Sequence, residues 1–98
     1  MKSELVDNPI WRVFYSDTAK KQLKKLDRKN SKLVDQIMDY LEDIKNLPSP
    51  SVRGKALTAN KKGYWRYRVG DYRIICQIKN DELIILTLNI AHRSTIYK

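Results

Sequence analysis

The hydrophobic period of the chain changes several times, and each change marks an element. Residues 10 to 15, IWRVFY, alternate well enough for a first strand after a polar lead-in ending at Pro9. At Ser16 and Asp17, a good helix N-terminus, the spacing lengthens. Ala19, Leu23 and Leu26 recur on one helical face, with Lys20, Lys21, Lys24, Lys25, Arg28 and Lys29 on and beyond the other. Asn30 and Ser31 break that pattern and cap a second helix with a wide stripe of Leu33, Val34, Ile37, Met38, Leu41 and Ile44. This helix ends near Asn46, because Pro48 and Pro50 cannot continue it. The pair predicts a helical hairpin packed on something flat.

The next segment, SVRGKALTANKKG, has little periodicity. It reads as a basic loop carrying Arg53, Lys55, Lys61 and Lys62, with Gly54 and Gly63 allowing tight turns. Strands are then predicted over residues 64 to 69 (YWRYRV), 72 to 79 (YRIICQIK) and 83 to 90 (LIILTLNI). Gly70-Asp71 and Asn80-Asp81-Glu82 supply turns between them, so antiparallel hairpins are the economical connection. The last strand is apolar on both faces for much of its length, which marks it as central. The expected fold class is α+β: a two-layer sandwich in the order β-α-α-β-β-β, with the N-terminal helical hairpin on one face of an antiparallel-rich sheet. Residues 1–98 read as a single domain and residues 1–9 as a flexible lead-in.

Charge sharpens the picture. The chain carries 20 Lys and Arg against 11 Asp and Glu, a net +9 on 98 residues. Residues 1 to 50 hold ten basic and eight acidic side chains, whereas residues 51 to 98 hold ten basic and three acidic. A polyanion is the natural partner of that second half. The lone cysteine, Cys76, sits in an apolar run and reads as a small core residue. With one His, one Cys and no paired acids in the basic half, no metal or cofactor is expected. No apolar run approaches about 18 residues and no signal-peptide pattern is present, so a cytoplasmic protein without a membrane partner is expected.

Alternation along YWRYRV puts Trp65, Tyr67 and Val69 on one face and Arg66 and Arg68 on the other, where Arg73 joins them if the register permits. The aromatic face can meet the helices; the arginine face cannot. Burying such a cluster without anions is prohibitively costly, so an open surface is expected. A solvated sheet face also needs polar residues. Three arginines on adjacent strands beside a lysine-rich loop are better explained by phosphates, which a guanidinium meets with two parallel hydrogen bonds. Beyond the last strand the chain reads NIAHRSTIYK, with the single histidine, His92, beside Arg93 and before Tyr97. A structural histidine and a proton-transferring one are both open readings. Tyr97 offers a ring on which a base can stack.

The run from Tyr64 to Ile75, YWRYRVGDYRII, then an apolar strand and His92-Arg93 before Ile96-Tyr97, resembles the RelE/ParE superfamily of bacterial type II toxins on its RelE side. The similarity spans roughly residues 10 to 98. The resemblance implies a ribosome-dependent messenger-RNA endonuclease blocked by a cognate antitoxin. By position, Arg73 matches the arginine after the Gly-x-Tyr turn that contacts the scissile phosphate, and Arg66 and Arg68 match paired basic residues on the preceding strand. Tyr97 matches a terminal tyrosine that stacks on a base of the message. The family's second active-site arginine falls near His92-Arg93, and the alignment leaves open which of the two takes its part. The implied chemistry is metal-free: a ribose 2′-hydroxyl attacks the adjacent phosphorus and leaves a 2′,3′-cyclic phosphate. No carboxylate lies between Val52 and Tyr67, so the Glu-His pairing of some relatives is absent and the general base stays unassigned. For Lys20, Lys24, Lys25, Arg53, Lys55, Lys61 and Lys62, a solvated surface and a grip on ribosomal RNA are both open. The rival functions are a ParE-like gyrase poison and a non-catalytic nucleic-acid-binding module.

Overall fold

The computed structural model describes residues 11–57 and 63–96. Among them, β1 (Arg12–Tyr15) leads into α1 (Asp17–Lys29) and α2 (Ser31–Lys45). A 3-10 turn (Pro50–Val52) and β2 (Lys55–Ala56) follow, then β3 (Tyr64–Val69), β4 (Tyr72–Lys79), β5 (Ile84–His92) and a short α3 (Arg93–Ile96). The strands form one sheet in the order β1-β5-β4-β3-β2. β1 runs parallel to β5, and the other pairs are antiparallel. The two-layer α+β sandwich is therefore observed, with two features the sequence pattern did not predict: the parallel β1–β5 pairing, and the two-residue β2 inside the segment read as a loop. The lead-in of residues 1–9, with Lys61, Lys62 and Tyr97, lies outside the described residues.

Both helices start where side chains satisfy their first free N–H groups. Ser16 Oγ accepts from the Ala19 N–H at 3.1 Å and donates to the Leu88 carbonyl at 3.1 Å, tying the start of α1 to β5. Asn30 Oδ1 accepts from the Leu33 N–H at 3.2 Å and so caps α2. Ser16→Ala removes both of its bonds, and we expect a loss of about 1–2 kcal/mol, read as a lower urea midpoint with an unchanged m-value.

The core lies between the helical layer and one sheet face. Ala19 and Leu26 of α1 and Val34, Ile37, Leu41 and Ile44 of α2 pack with Tyr67, Ile74, Cys76, Ile85 and Ile90. Each buried Ile or Leu contributes about 1.5–3 kcal/mol of transfer free energy, which is what holds the hairpin on the sheet. β5 has a strand on each side, in keeping with its apolar sequence. It also carries an irregularity: Cys76 pairs with Thr87 but Ile75 pairs with Asn89, leaving Leu88 as an extra residue. Among the described residues no helix is long and apolar enough to cross a membrane.

Cys76 is buried, as expected, and desolvation pushes its thiol up to about 12, opposed by a contact with Thr87. The folded-state value is raised, so its stabilising contribution is complete below the unfolded thiol's range and is lost as pH rises toward 12. We expect Cys76 to resist a thiol reagent at pH about 8 in the native protein and to react at once in denaturant. Native labelling at the rate of a free thiol would contradict this burial.

Candidate active site

β3 divides its side chains between the two layers. Tyr67 is fully buried under the helices, whereas Arg66 and Arg68 leave the opposite face. The register completes the group: Arg68 lies opposite Arg73 on β4, and Lys55 of β2 lies opposite Arg66. Gly70 makes the tight β3–β4 turn possible with φ of 58°, a backbone angle that side-chain-bearing residues rarely adopt. Arg66, Arg68, Arg73 and Lys55 line one pocket of about 370 Å³, together with Gly54 and Tyr40. None of the described residues lining it is acidic. Arg66 and Arg73 are half-buried and Arg68 is exposed, with its Nε donating to the Gly70 carbonyl at 3.2 Å. Four cations in one hollow repel each other, and an anion with several oxygens relieves that repulsion.

The inner side chains of the same strand hold the pocket's far wall. Tyr67 donates from its hydroxyl to the Pro50 carbonyl at 2.7 Å, and Trp65 Nε1 donates to the Arg53 carbonyl at 2.6 Å. These bonds draw residues 50 to 53 against β3 and deliver Gly54 and Lys55 to the pocket. Gly54 has φ of 77°, and a Cβ there would fall 2.5 Å from the Arg66 carbonyl oxygen, so the close approach depends on glycine. Arg53 does not enter the pocket; its guanidinium sits 5.6 Å from the Tyr40 ring centroid. Burial raises the Tyr40 phenol above its ordinary pKa, against the opposing effect of Arg53, so the pocket meets a neutral hydroxyl at physiological pH. Sequence reasoning missed Tyr40, because nothing in the sequence ties a tyrosine of the second helix to the arginine strands; tertiary packing alone brings it to the pocket.

His92 is not brought into this pocket. It pairs with Tyr72, whereas Arg73 pairs with Ala91, so His92 belongs to the helix-facing side of the sheet. The bulge is the cause. An unbroken alternation carried on from the inward Ile85 and Thr87 would turn Asn89 and Ala91 inward and His92 outward; the extra residue Leu88 reverses the phase, and Ile90 is buried instead. Arg93 is exposed beside the β3–β4 turn, its N–H donating to the Asp71 carbonyl at 2.8 Å and its Nε 4.0 Å from the Asp71 carboxylate. Lys20, Lys24 and Lys25 are exposed on α1. Of these, Lys25 lines a second groove, with His92. Among the described residues no three His, Cys, Asp or Glu side chains cluster as metal ligands would.

A family model described as the ParE toxin of the type II toxin–antitoxin system parDE matches residues 13–97. The chain belongs to the RelE/ParE superfamily of type II toxins. A search of curated proteins found no match. Among solved structures, the RelBE2 toxin–antitoxin complex from Mycobacterium tuberculosis superposes with a TM-score of 0.71 at 23% identity, covering 87% of this chain and 93% of the other. A double mutant of the E. coli toxin RelE in the free state gives 0.71 at 16% identity, covering 91% of this chain and 92% of its own. The Staphylococcus aureus YoeB dimer gives 0.69 at 18% identity, covering 86% and 98%. At these identities the structures establish that this toxin shares their fold.

Proposed function

We propose that this toxin is a ribosome-dependent messenger-RNA endoribonuclease, held inactive by a cognate antitoxin. The observation that carries this reading is the convergence of Arg66, Arg68, Arg73 and Lys55 on one hollow, which Gly54 and Tyr40 of α2 also line. In the reaction, the ribose 2′-oxygen loses its proton and bonds to the adjacent phosphorus while the bond from phosphorus to the 5′-oxygen breaks. A 2′,3′-cyclic phosphate remains on one fragment and a protonated 5′-hydroxyl on the other. The phosphorane between these states carries an additional negative charge. Guanidiniums fixed around it stabilise that charge more than the starting diester, and in catalysis such fixed charge commonly outweighs every other contribution. Arg73 takes the central place, since Arg68 lies opposite it and Arg66 shares its face. Arg93, at the rim beside the turn, is the better placed of the His92-Arg93 pair to approach the leaving oxygen. Tyr97 keeps the base-stacking role proposed from its position in the sequence.

A second reading, a gyrase poison, is favoured by the matching family model being that of ParE toxins. The two are separated by adding the purified protein to ribosomes programmed with a defined message and, in parallel, to DNA gyrase with supercoiled DNA. New 5′ ends at discrete message positions, with gyrase unaffected, are the expected result. Gyrase-linked DNA breaks over an intact message would replace this reading with the second.

A further inference from the structure

A second groove, of about 220 Å³, lies between α1 and the ends of β4 and β5. Lys25 and Lys29 stand on its α1 wall one helical turn apart, and Tyr72 and His92 contribute rings from the sheet. Leu26 and Ile90, both nearly fully buried, contribute apolar lining. The two rings meet edge to face, with centroids 5.4 Å apart and planes at 89°. Gln22 fixes the wall by accepting from the Ile90 N–H at 2.5 Å and donating to Asn89 Oδ1 at 2.9 Å. His92 Nδ1 lies 2.8 Å from Ser94 Oγ and 3.3 Å from the Ser94 backbone nitrogen, which hold the ring in place.

We infer that this groove is a second RNA subsite, taking a nucleotide of the same strand whose cut linkage lies in the arginine pocket. The inference rests on the ribonuclease reading. The two sites occupy the same end of the sheet. Arg68, Arg73 and Ala91 form one register row, and Val69, Tyr72 and His92 form the next, facing the other way. The turn at Gly70-Asp71 and the exposed Arg93 form the rim between them. Two ammonium groups beside aromatic rings over an apolar floor form the pairing by which single-stranded nucleic acid is held, backbone on cations and base against a ring. An acidic peptide would use the lysines and leave the rings without a role. The groove also gives His92 a function on the side of the sheet where the bulge puts it.

The single histidine makes the test direct, because its ring protons need no assignment among others. The protein is titrated with a short single-stranded RNA bearing 2′-O-methyl groups, which cannot be cut, while binding is followed by fluorescence anisotropy. The His92 ring signals are expected to shift in step with binding. Lys25→Gln with Lys29→Gln, both at exposed positions, is expected to abolish that shift and to reduce the salt slope of binding by about 1 to 2. RNA that binds with His92 unmoved, RNA that does not bind, or a double variant with an unchanged salt slope overturns the inference. So does an acidic peptide that moves His92 where RNA does not, which would make the groove a protein-docking site. Message cleavage on ribosomes is scored separately: a protein that cuts with a silent His92 loses the subsite alone, and one that does not cut loses the ribonuclease reading.

Discussion

Arg73→Ala is expected to slow message cleavage on programmed ribosomes by about 100- to 1000-fold, the usual cost of removing one donor aimed at transition-state charge. The expectation follows from its place on β4, opposite Arg68 and on the face shared by Arg66, in a pocket whose described lining holds no carboxylate. Arg73→Lys keeps the charge but replaces a planar fork with a single ammonium, so it should restore only part of the rate. The loss should appear in the single-turnover rate at saturating protein and not only in affinity, because the charge stabilised is the one that develops during the reaction. A folded Arg73→Ala protein that cuts within about twofold of the wild type would remove Arg73 from the chemistry.

The largest expected effect on stability is at Tyr67. Its ring is fully buried and meets the Tyr40 ring edge-on at 5.9 Å, while its hydroxyl holds the Pro50 carbonyl. Tyr67→Ala should cost about 3–5 kcal/mol, the range for emptying a buried aromatic site, which is a large share of what a small domain has. Tyr67→Phe keeps the ring and leaves the Pro50 carbonyl without its donor, at a cost of about 1–3 kcal/mol. The Phe variant has a second consequence. With one of the two bonds that draw residues 50 to 53 to β3 removed, the approach of Gly54 and Lys55 rests more heavily on the Trp65 bond, the short β2 pairing and the Leu57 N–H to Tyr64 carbonyl bond. Amide exchange over residues 50 to 57 should therefore quicken in Tyr67→Phe more than global stability accounts for, and cleavage should fall. Urea unfolding and hydrogen exchange check the two parts, and unchanged loop protection would contradict the clamp.

The parts of this fold that were legible in the sequence are those in which side chains alternate or recur without interruption. β3 and β4 occupy the predicted residues, because YWRYRV and YRIICQIK run between glycine and polar turns with a clean period. Both helix starts were marked by residues whose short polar side chains accept from the first turn, Ser16 and Asn30. The arginine face followed from the same alternation, and the register adds Lys55 to it.

What was not legible depends on tertiary pairing. The parallel docking of β1 on β5 leaves no trace in either strand's own pattern. β2 is two residues long and takes its extended form from Arg66 and Trp65 across the ladder, so no local signal separates it from a loop. The outer face is also less uniformly basic than the arginines suggested. Toward β1 it carries Phe14, 44% exposed, with Arg12 over its ring, and Phe14 lies opposite Leu86. His92 is the clearest case: one extra residue at Leu88 decides which layer the histidine meets, and that residue looks like any other in an apolar strand.

The central claim is that Arg66, Arg68 and Arg73 surround the RNA linkage that is cut. Its most direct test is primer-extension mapping of new 5′ ends on programmed ribosomes, comparing the wild type with a folded variant carrying Arg66→Ala, Arg68→Ala and Arg73→Ala. Discrete ends with the wild type and none with the variant are the predicted result. The same ends from both proteins, or none from either, would contradict it.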